Sequence, residues 1–331
     1  MMLFFKIKHR YICPLRILVS FVKKFTPVLM KKPICKHLFV SIILFIGIAQ
    51  FAQAQVGKTF WFVAPEVTYD HNDLGAVLRI TALDHDASVT ISLPANSDFT
   101  PIKRDILAGK QEKIELDDFR LLIENGSLGT NGGDFPNTNY SDWTNWTAGD
   151  AFNKGMLIES TANITAYYEM ANTNNPDRFT LKGDNALGTE FYIPSQNVYE
   201  NQPLTPKARE QVDIVATEDS TTITFVLNDD VNFHDGLDGH LKGVEYTITL
   251  NRGETYCLRR TDGSASRNLG GSHITSNKPI AITISDDSIR HPGIGSYDLV
   301  GDQLVPVNVI GREYIVVNTM HKINEQNRSN T

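Results

Sequence analysis

Four aromatic residues, Phe135, Tyr140, Trp143 and Trp146, sit in one stretch from Gly132 to Asp150 that has neither strand nor helix periodicity. Asn and Asp residues separate them. Flat apolar rings beside amides and carboxylates suit stacking on a sugar or gripping a protein surface. Long ordered loops are often functional. The competing account is structural: Trp143 and Trp146 fold back as a lid and bury their large rings on a sheet. Both readings stay open at this level.

Oxygen-rich turns offer a second chemistry. Asp70-His-Asn-Asp-Leu-Gly, Asn228-Asp-Asp and Ser285-Asp-Asp-Ser could feed calcium, which takes about 6–8 oxygen ligands. Asp70, Asn72 and Asp73 form the fullest set, yet Leu74 stands where an EF-hand loop needs its third ligand. Solvated turn carboxylates explain these runs as well, so no cofactor is expected and calcium is the one exception to test. His234-Asp-Gly-Leu-Asp-Gly-His240 pairs two histidines with Asp235 and Asp238, a donor set for a transition metal. Its two glycines leave that set without preorganisation. Hydrolytic chemistry has less to stand on. There is no G-x-S-x-G and no H-E-x-x-H, and Ser272-His273 lacks a defined third member. Glu159 and Glu169 could form a glycosidase pair only if the fold brought them together. The chain is expected not to be an enzyme.

Charge and targeting set the compartment. The 331 residues carry 31 Lys and Arg against 38 Asp and Glu. Residues 1–54 hold nine of the basic residues and none of the acidic ones; removing those nine from 31 leaves 22 basic against 38 acidic, net −16. Such a body repels phosphate backbones, which argues against nucleic acid. From Met30 the chain reads as a complete export signal: Lys31, Lys32 and Lys36, then an apolar run from Leu38 to Ala49, then Ala52-Gln53-Ala54. The run is shorter than the roughly 20 residues a membrane helix needs. Residues 1–54 are therefore expected to be removed, with Met30 the true start and no stable membrane span left. The product is secreted or held at the cell surface. Cys257 alone remains in the mature chain, so no internal disulfide forms; it reads as a small core residue.

The elements that must position these residues are strands. Val77-Leu-Arg-Ile-Thr-Ala-Leu, Ser88-Val-Thr-Ile-Ser-Leu, Thr221-Thr-Ile-Thr-Phe-Val-Leu, Glu245-Tyr-Thr-Ile-Thr-Leu and Pro279-Ile-Ala-Ile-Thr-Ile alternate with period two. Short polar turns join them, which predicts antiparallel pairing. Only Ile102 to Glu124 has spacing that admits a helix. The fold is expected to be all-β.

The chain also repeats itself. Gly57-Lys-Thr-Phe-Trp-Phe recurs as Gly188-Thr-Glu-Phe-Tyr-Ile and as Gly311-Arg-Glu-Tyr-Ile-Val. Leu78 to Ile91 aligns with Val212 to Phe225, and Ile158-Glu-Ser160 with Ile274-Thr-Ser276. The Ile-x-Ser blocks read as tight hairpins whose serines bond turn backbone. Two tandem antiparallel β-sandwich units are predicted, 55–187 and 188–310, with 311–331 opening a third unit before a polar tail.

Gly155-Met-Leu-Ile-Glu-Ser-Thr-Ala-Asn-Ile-Thr-Ala, Asp177-Arg-Phe-Thr-Leu-Lys-Gly-Asp, Gly271-Ser-His-Ile-Thr-Ser-Asn-Lys-Pro and Asp302-Gln-Leu-Val-Pro-Val-Asn carry a family resemblance. Together they resemble the N-terminal domain of IgG-Fc-binding proteins over about 57–319. Similar regions open long secreted surface proteins of Bacteroidota, often ending in gliding-motility-associated sorting domains. The resemblance implies a secreted, non-enzymatic adhesion or recognition module that meets a protein or glycan through loops on a β scaffold; it supplies no catalytic residues. Two alternatives remain: a carbohydrate-active enzyme or accessory carbohydrate-binding domain, and an architectural spacer of a larger surface protein.

Overall fold

The computed structural model describes residues 55–68, 74–125, 151–172, 176–204, 208–231, 240–260, 262–290 and 297–311. The expected export signal and the strand expected after Gly311 lie outside them. Among the described residues no helix is long and apolar enough to cross a membrane.

Each of two antiparallel sheets is organised by one long strand, and the fold is all-β. In the first unit the strands are β1 (Gly57–Phe62), β2 (Ala64–Pro65), β3 (Ala76–Ala82), β4 (Ala87–Ser92), β5 (Ile102–Ile106), β6 (Gln111–Glu115), β7 (Glu124–Asn125), β8 (Met156–Met170) and β9 (Asp177–Thr180). The organising strand is β8. Its first half lies between β1 and β4, with β5 outside β4; its second half lies between β9 and β3, with β6 outside β3. The two halves close over a single core. Phe62 of β1, beside the first half, meets the rings of Tyr168 in the second half and of Phe179 in β9 at 5.1 and 6.2 Å. Ile164, Ala166, Tyr168 and Met170 are buried at period two, while Ser160 to Asn163 are more open where the strand passes between layers.

The second unit repeats this plan with β10 (Gly188–Tyr192), β11 (Glu200–Asn201), β12 (Glu210–Ala216), β13 (Thr221–Val226), β14 (Glu245–Leu250), β15 (Thr255–Arg259), β16 (His273–Arg290) and β17 (Tyr297–Gln303). Here β16 takes the place of β8. Register repeats with it. Ala82 pairs with Ile164 and Ala216 with Ile280; Val89 pairs with Ser160 and Ile223 with Ser276. Gly57 and Gly188 each precede a register shift in the same place.

Two expectations need correction. The Ile-x-Ser blocks are not hairpins: Ile158–Ile164 and Ile274–Ile280 run inside β8 and β16, because strands on both sides supply their backbone partners. Ser160 Oγ still accepts from Ala162 N and the Ser276 hydroxyl still donates to Lys278 O. The 102–124 segment is mostly β5 and β6, which pair with β4 and β3 and not with each other; its helical part is a 3-10 turn at Asp117–Phe119 and a four-residue helix at Arg120–Ile123. Asp105, Lys103 and Arg104 put polar side chains on a half-exposed strand, which blurred its period.

The units meet across a mixed junction. Trp61, Val63 and Leu157 of the first pack against Val215 and Ala281 of the second. Gly155 permits this contact: a Cβ there would lie 2.5 Å from Val215 Cγ2. The short parallel pair β2–β7, the one exception to antiparallel pairing in the described sheets, sits over the second unit's β12, β15 and β16.

Candidate functional site

The aromatic loop with Phe135, Tyr140, Trp143 and Trp146 falls outside the described residues, but both its stems are described, and both are fastened to the second unit. On the N-terminal side, the Asn125 amide donates to Asp213 Oδ1 at 2.7 Å, and the Thr255 hydroxyl donates to Asn125 Oδ1 at 2.7 Å. On the C-terminal side, Phe152 exchanges backbone hydrogen bonds with Thr255, at 2.9 and 2.7 Å, and Gly155 N donates to Gly253 O. The Lys154 ammonium crosses between stems, donating to Glu124 O at 2.6 Å and lying over the Phe152 ring. A rigid junction between two sandwiches therefore carries the loop. The sequence singled out the aromatic stretch; it did not show how the residues on either side of it are anchored.

Asp213 is the centre of the anchor. It is completely buried, and it accepts from Asn125 and from Gln211 Nε2 at 2.8 Å. Burial pushes its carboxyl up to about 7, against the opposing pull of bonds from Gln211, Asn125 and the Cys257 thiol and of the Arg259 charge. The same burial, with Asp213 opposite it across the strand pair, drives the Cys257 thiol well above its usual range. Cys257 is therefore an inert core thiol, as its strand context implied. A second buried acid, Glu210, is raised to about 7 by desolvation; Ser195, the Leu269 amide and Arg260 offset part of it. The sequence hid Asp213 inside an apolar strand. Its one visible signal was parity: Gln211, Asp213 and Val215 alternate with the core residues Val212, Ile214 and Ala216.

The other candidates separate. Asp70, Asn72 and Asp73 lie outside the described residues, as do His234, Asp235 and Asp238. Next to the first set, Thr68 N donates to Asp287 Oδ2 at 2.7 Å. The Ser285–Ser288 run is not a loop but part of β16. Asp286 there accepts from Asn201 Nδ2 at 2.6 Å and Gln196 Nε2 at 2.8 Å. Asp229 faces the Arg267 guanidinium at 2.7 Å. These oxygens already have nitrogen donors. His240 Nε2 lies 2.6 Å from the Tyr256 hydroxyl, and burial lowers its pKa. Glu159 and Glu169 are not brought together. Glu159 pairs with Thr59 and Thr90 in one layer, and Glu169 bonds Arg79 and Arg178 in the other. Burial would raise Glu169, but those two guanidinium groups hold it below the usual carboxylate range. Ser272 Oγ accepts from Asn228 N, while His273 Nε2 sits 3.0 Å from Glu190 and stacks on Tyr192. That arrangement does not activate a serine.

Residues 177–331 match the family described as IgGFc binding protein. No curated protein matches the chain. Two solved structures align over about three quarters of it. Beta-glucuronidase 2 of Bacteroides uniformis, covalently bound to cyclophellitol-6-carboxylate aziridine, is 10% identical, with 76% of this chain and 26% of that chain covered and a TM-score of 0.16. A glycosyl hydrolase family 2 member from Bacteroides cellulosilyticus is 9% identical, with 75% and 28% covered and a TM-score of 0.15. The chain thus spans about a quarter of their length, and neither likeness bears on its chemistry.

Proposed function

Residues 177–331 carry the pattern of the IgGFc binding protein family, and from that premise we propose that the chain is an exported, non-enzymatic recognition module that binds a protein. Binding is through the aromatic loop between Asn125 and Phe152. The observation that carries this reading is the double anchor: both stems of a long loop are held by the buried Asn125–Asp213–Thr255 network and the Phe152–Thr255 bridge. A binding loop gains affinity when its ends are fixed beforehand, because less ordering remains to be done on contact. Surface loops on a stiff scaffold are the usual place for recognition.

Residues 1–54 are read as the export signal, leaving a mature chain from Gln55 at the cell surface or in the medium. A glycan partner is the second reading, favoured by Trp143 and Trp146 beside Asn and Asp. The test is a binding screen with immunoglobulin G Fc, other host-surface proteins and a glycan array, run on wild type and on Trp143→Ala/Trp146→Ala. Loss of binding with an unchanged thermal midpoint supports the loop. Equal binding by both proteins removes the loop from the reading, and glycoside turnover by pure protein overturns the non-enzymatic reading itself.

A further inference from the structure

The two units occupy equivalent positions in a stack, yet their equivalent faces meet different surroundings. Trp61 pairs with Leu157 across β1 and β8, and Tyr192 pairs with His273 at the same place in β10 and β16. In the first unit this face is closed by the second: Trp61 and Leu157 are 5% and 3% exposed, packed on Val215 and Ala281. In the second unit the same face is open. Tyr192 is 53% exposed, with His273 stacked on it at 4.5 Å. Gly155, pressed against Val215, has its counterpart in Gly271, where an added Cβ would meet nothing within 4 Å.

The route of the chain repeats as well. Leu181 N donates to Ala166 O and Leu304 N to Ile282 O, so the chain leaves β9 and β17 in the same way. Each exit passes through a single 3-10 turn, Gly183–Ala186 and Val307–Val309, towards Gly188 and Gly311. Leu187, just before Gly188, packs into the Trp61 junction; Ile310, just before Gly311, is 47% exposed. The opposite end of the stack is more heavily charged. There the first unit's face carries ion pairs of Arg79 and Arg178 with Glu169 and of Lys113 with Glu115, where the Tyr192 face has the single Glu190–His273 pair. Charged terminal faces of this sort cap repeat arrays.

We propose that the Tyr192–His273–Ile310 face is the docking surface for a third β-sandwich unit, entered through Gly311. That unit presents small apolar side chains where the second unit has Val215 and Ala281. In sequence, the block Gly311-Arg-Glu-Tyr-Ile-Val, which follows Ile310 directly, repeats the blocks at Gly57 and Gly188. One-dimensional stacking makes each outgoing face the seat of the next unit, and an uncovered aromatic and aliphatic patch marks such a seat.

The test duplicates residues 188–310 in frame after Ile310 of the full chain, so that the added Gly188 replaces Gly311. Tyr192→Cys is placed in the original copy only, and maleimide labelling is read by peptide mass. Protection of both Cys257 thiols reports that the added unit is folded. Labelling at position 192 is expected to slow by about tenfold or more against the 331-residue chain with the same substitution, as for any site that reacts only on local opening. Unchanged labelling beside protected Cys257 thiols overturns the proposal, because the units are then unconnected beads. An added unit that stays unfolded also overturns it, since the second unit folds against the equivalent face. Self-association of the 331-residue chain that Tyr192→Asp abolishes assigns the face to a second copy and overturns the third-unit occupant.

Discussion

At the scale of single residues, the molecule's least expected feature is a carboxylic acid in an otherwise well-packed seam. Asp213 has no exposed surface, and its carboxyl stands at about 7. An unfolded aspartate titrates near 4 (about 3.9). Between those values the folded chain binds more protons than the unfolded one, so stability falls as pH rises from about 4 to about 7 and then levels off. Asp213→Asn removes that loss while keeping the acceptor for Asn125. Its free carboxamide hydrogens can reach Gln211 Oε1, which has no partner among the described residues, once the glutamine amide rotates. The variant is expected to match wild type near pH 4 and to exceed it by on the order of 2 kcal/mol at pH 8. Denaturant unfolding across that range checks the sign. A constant difference at every pH would mean that Asp213 does not titrate with folding.

At the scale of elements, repetition made most of the fold legible. Gly57 and Gly188, Ala82 and Ala216, Ser160 and Ser276 were alignable in the sequence, and each pair holds the same register in the structure. The period of two located β3, β4, β13, β14 and the later half of β16 directly. What local pattern could not reveal was that Ser160 and Ser276 lie inside single long strands. A polar residue between two apolar runs looks like a turn when the neighbours on either side are unknown. The junction was hidden for a related reason: Trp61 and Tyr192 have the same local context and differ only in what covers them. Substitution separates them. Trp61→Ala opens a cavity against Val215 and Ala281 and removes the ring under Arg252, so a loss of about 3–5 kcal/mol is expected. Tyr192→Ala in the 331-residue chain should stay within about 0.5 kcal/mol of wild type. Comparable losses at both positions would show that the two faces are covered alike.

For the whole molecule, the junction decides whether the two sandwiches behave as one body. Apolar contact through Trp61, Leu157, Val215 and Ala281 is joined by hydrogen bonds over long stretches of chain. The Gln303 amide donates to Trp61 O, and Lys182 reaches Asp302 at 2.7 Å. Asn125, Asp213 and Thr255 close the same seam from the other side. Coupling on that scale exceeds what separates most linked domains, whose interfaces are more polar and more easily parted. The chain from Gln55 is therefore expected to unfold in one cooperative transition. Gly155→Val is the variant that should divide it. Its side chain would enter the space held by Val215 and the Gly253 carbonyl, forcing the units apart while leaving each core untouched. Scanning calorimetry should then resolve two transitions, the second unit's at the lower temperature because β12 and β15 lose the cover over their outer faces. The segment between Asn125 and Phe152 would lose its fixed stems in the same variant, so on the proposed recognition reading the partner should bind more weakly with both cores still folded. A single, merely lowered transition with full binding would separate recognition from the seam.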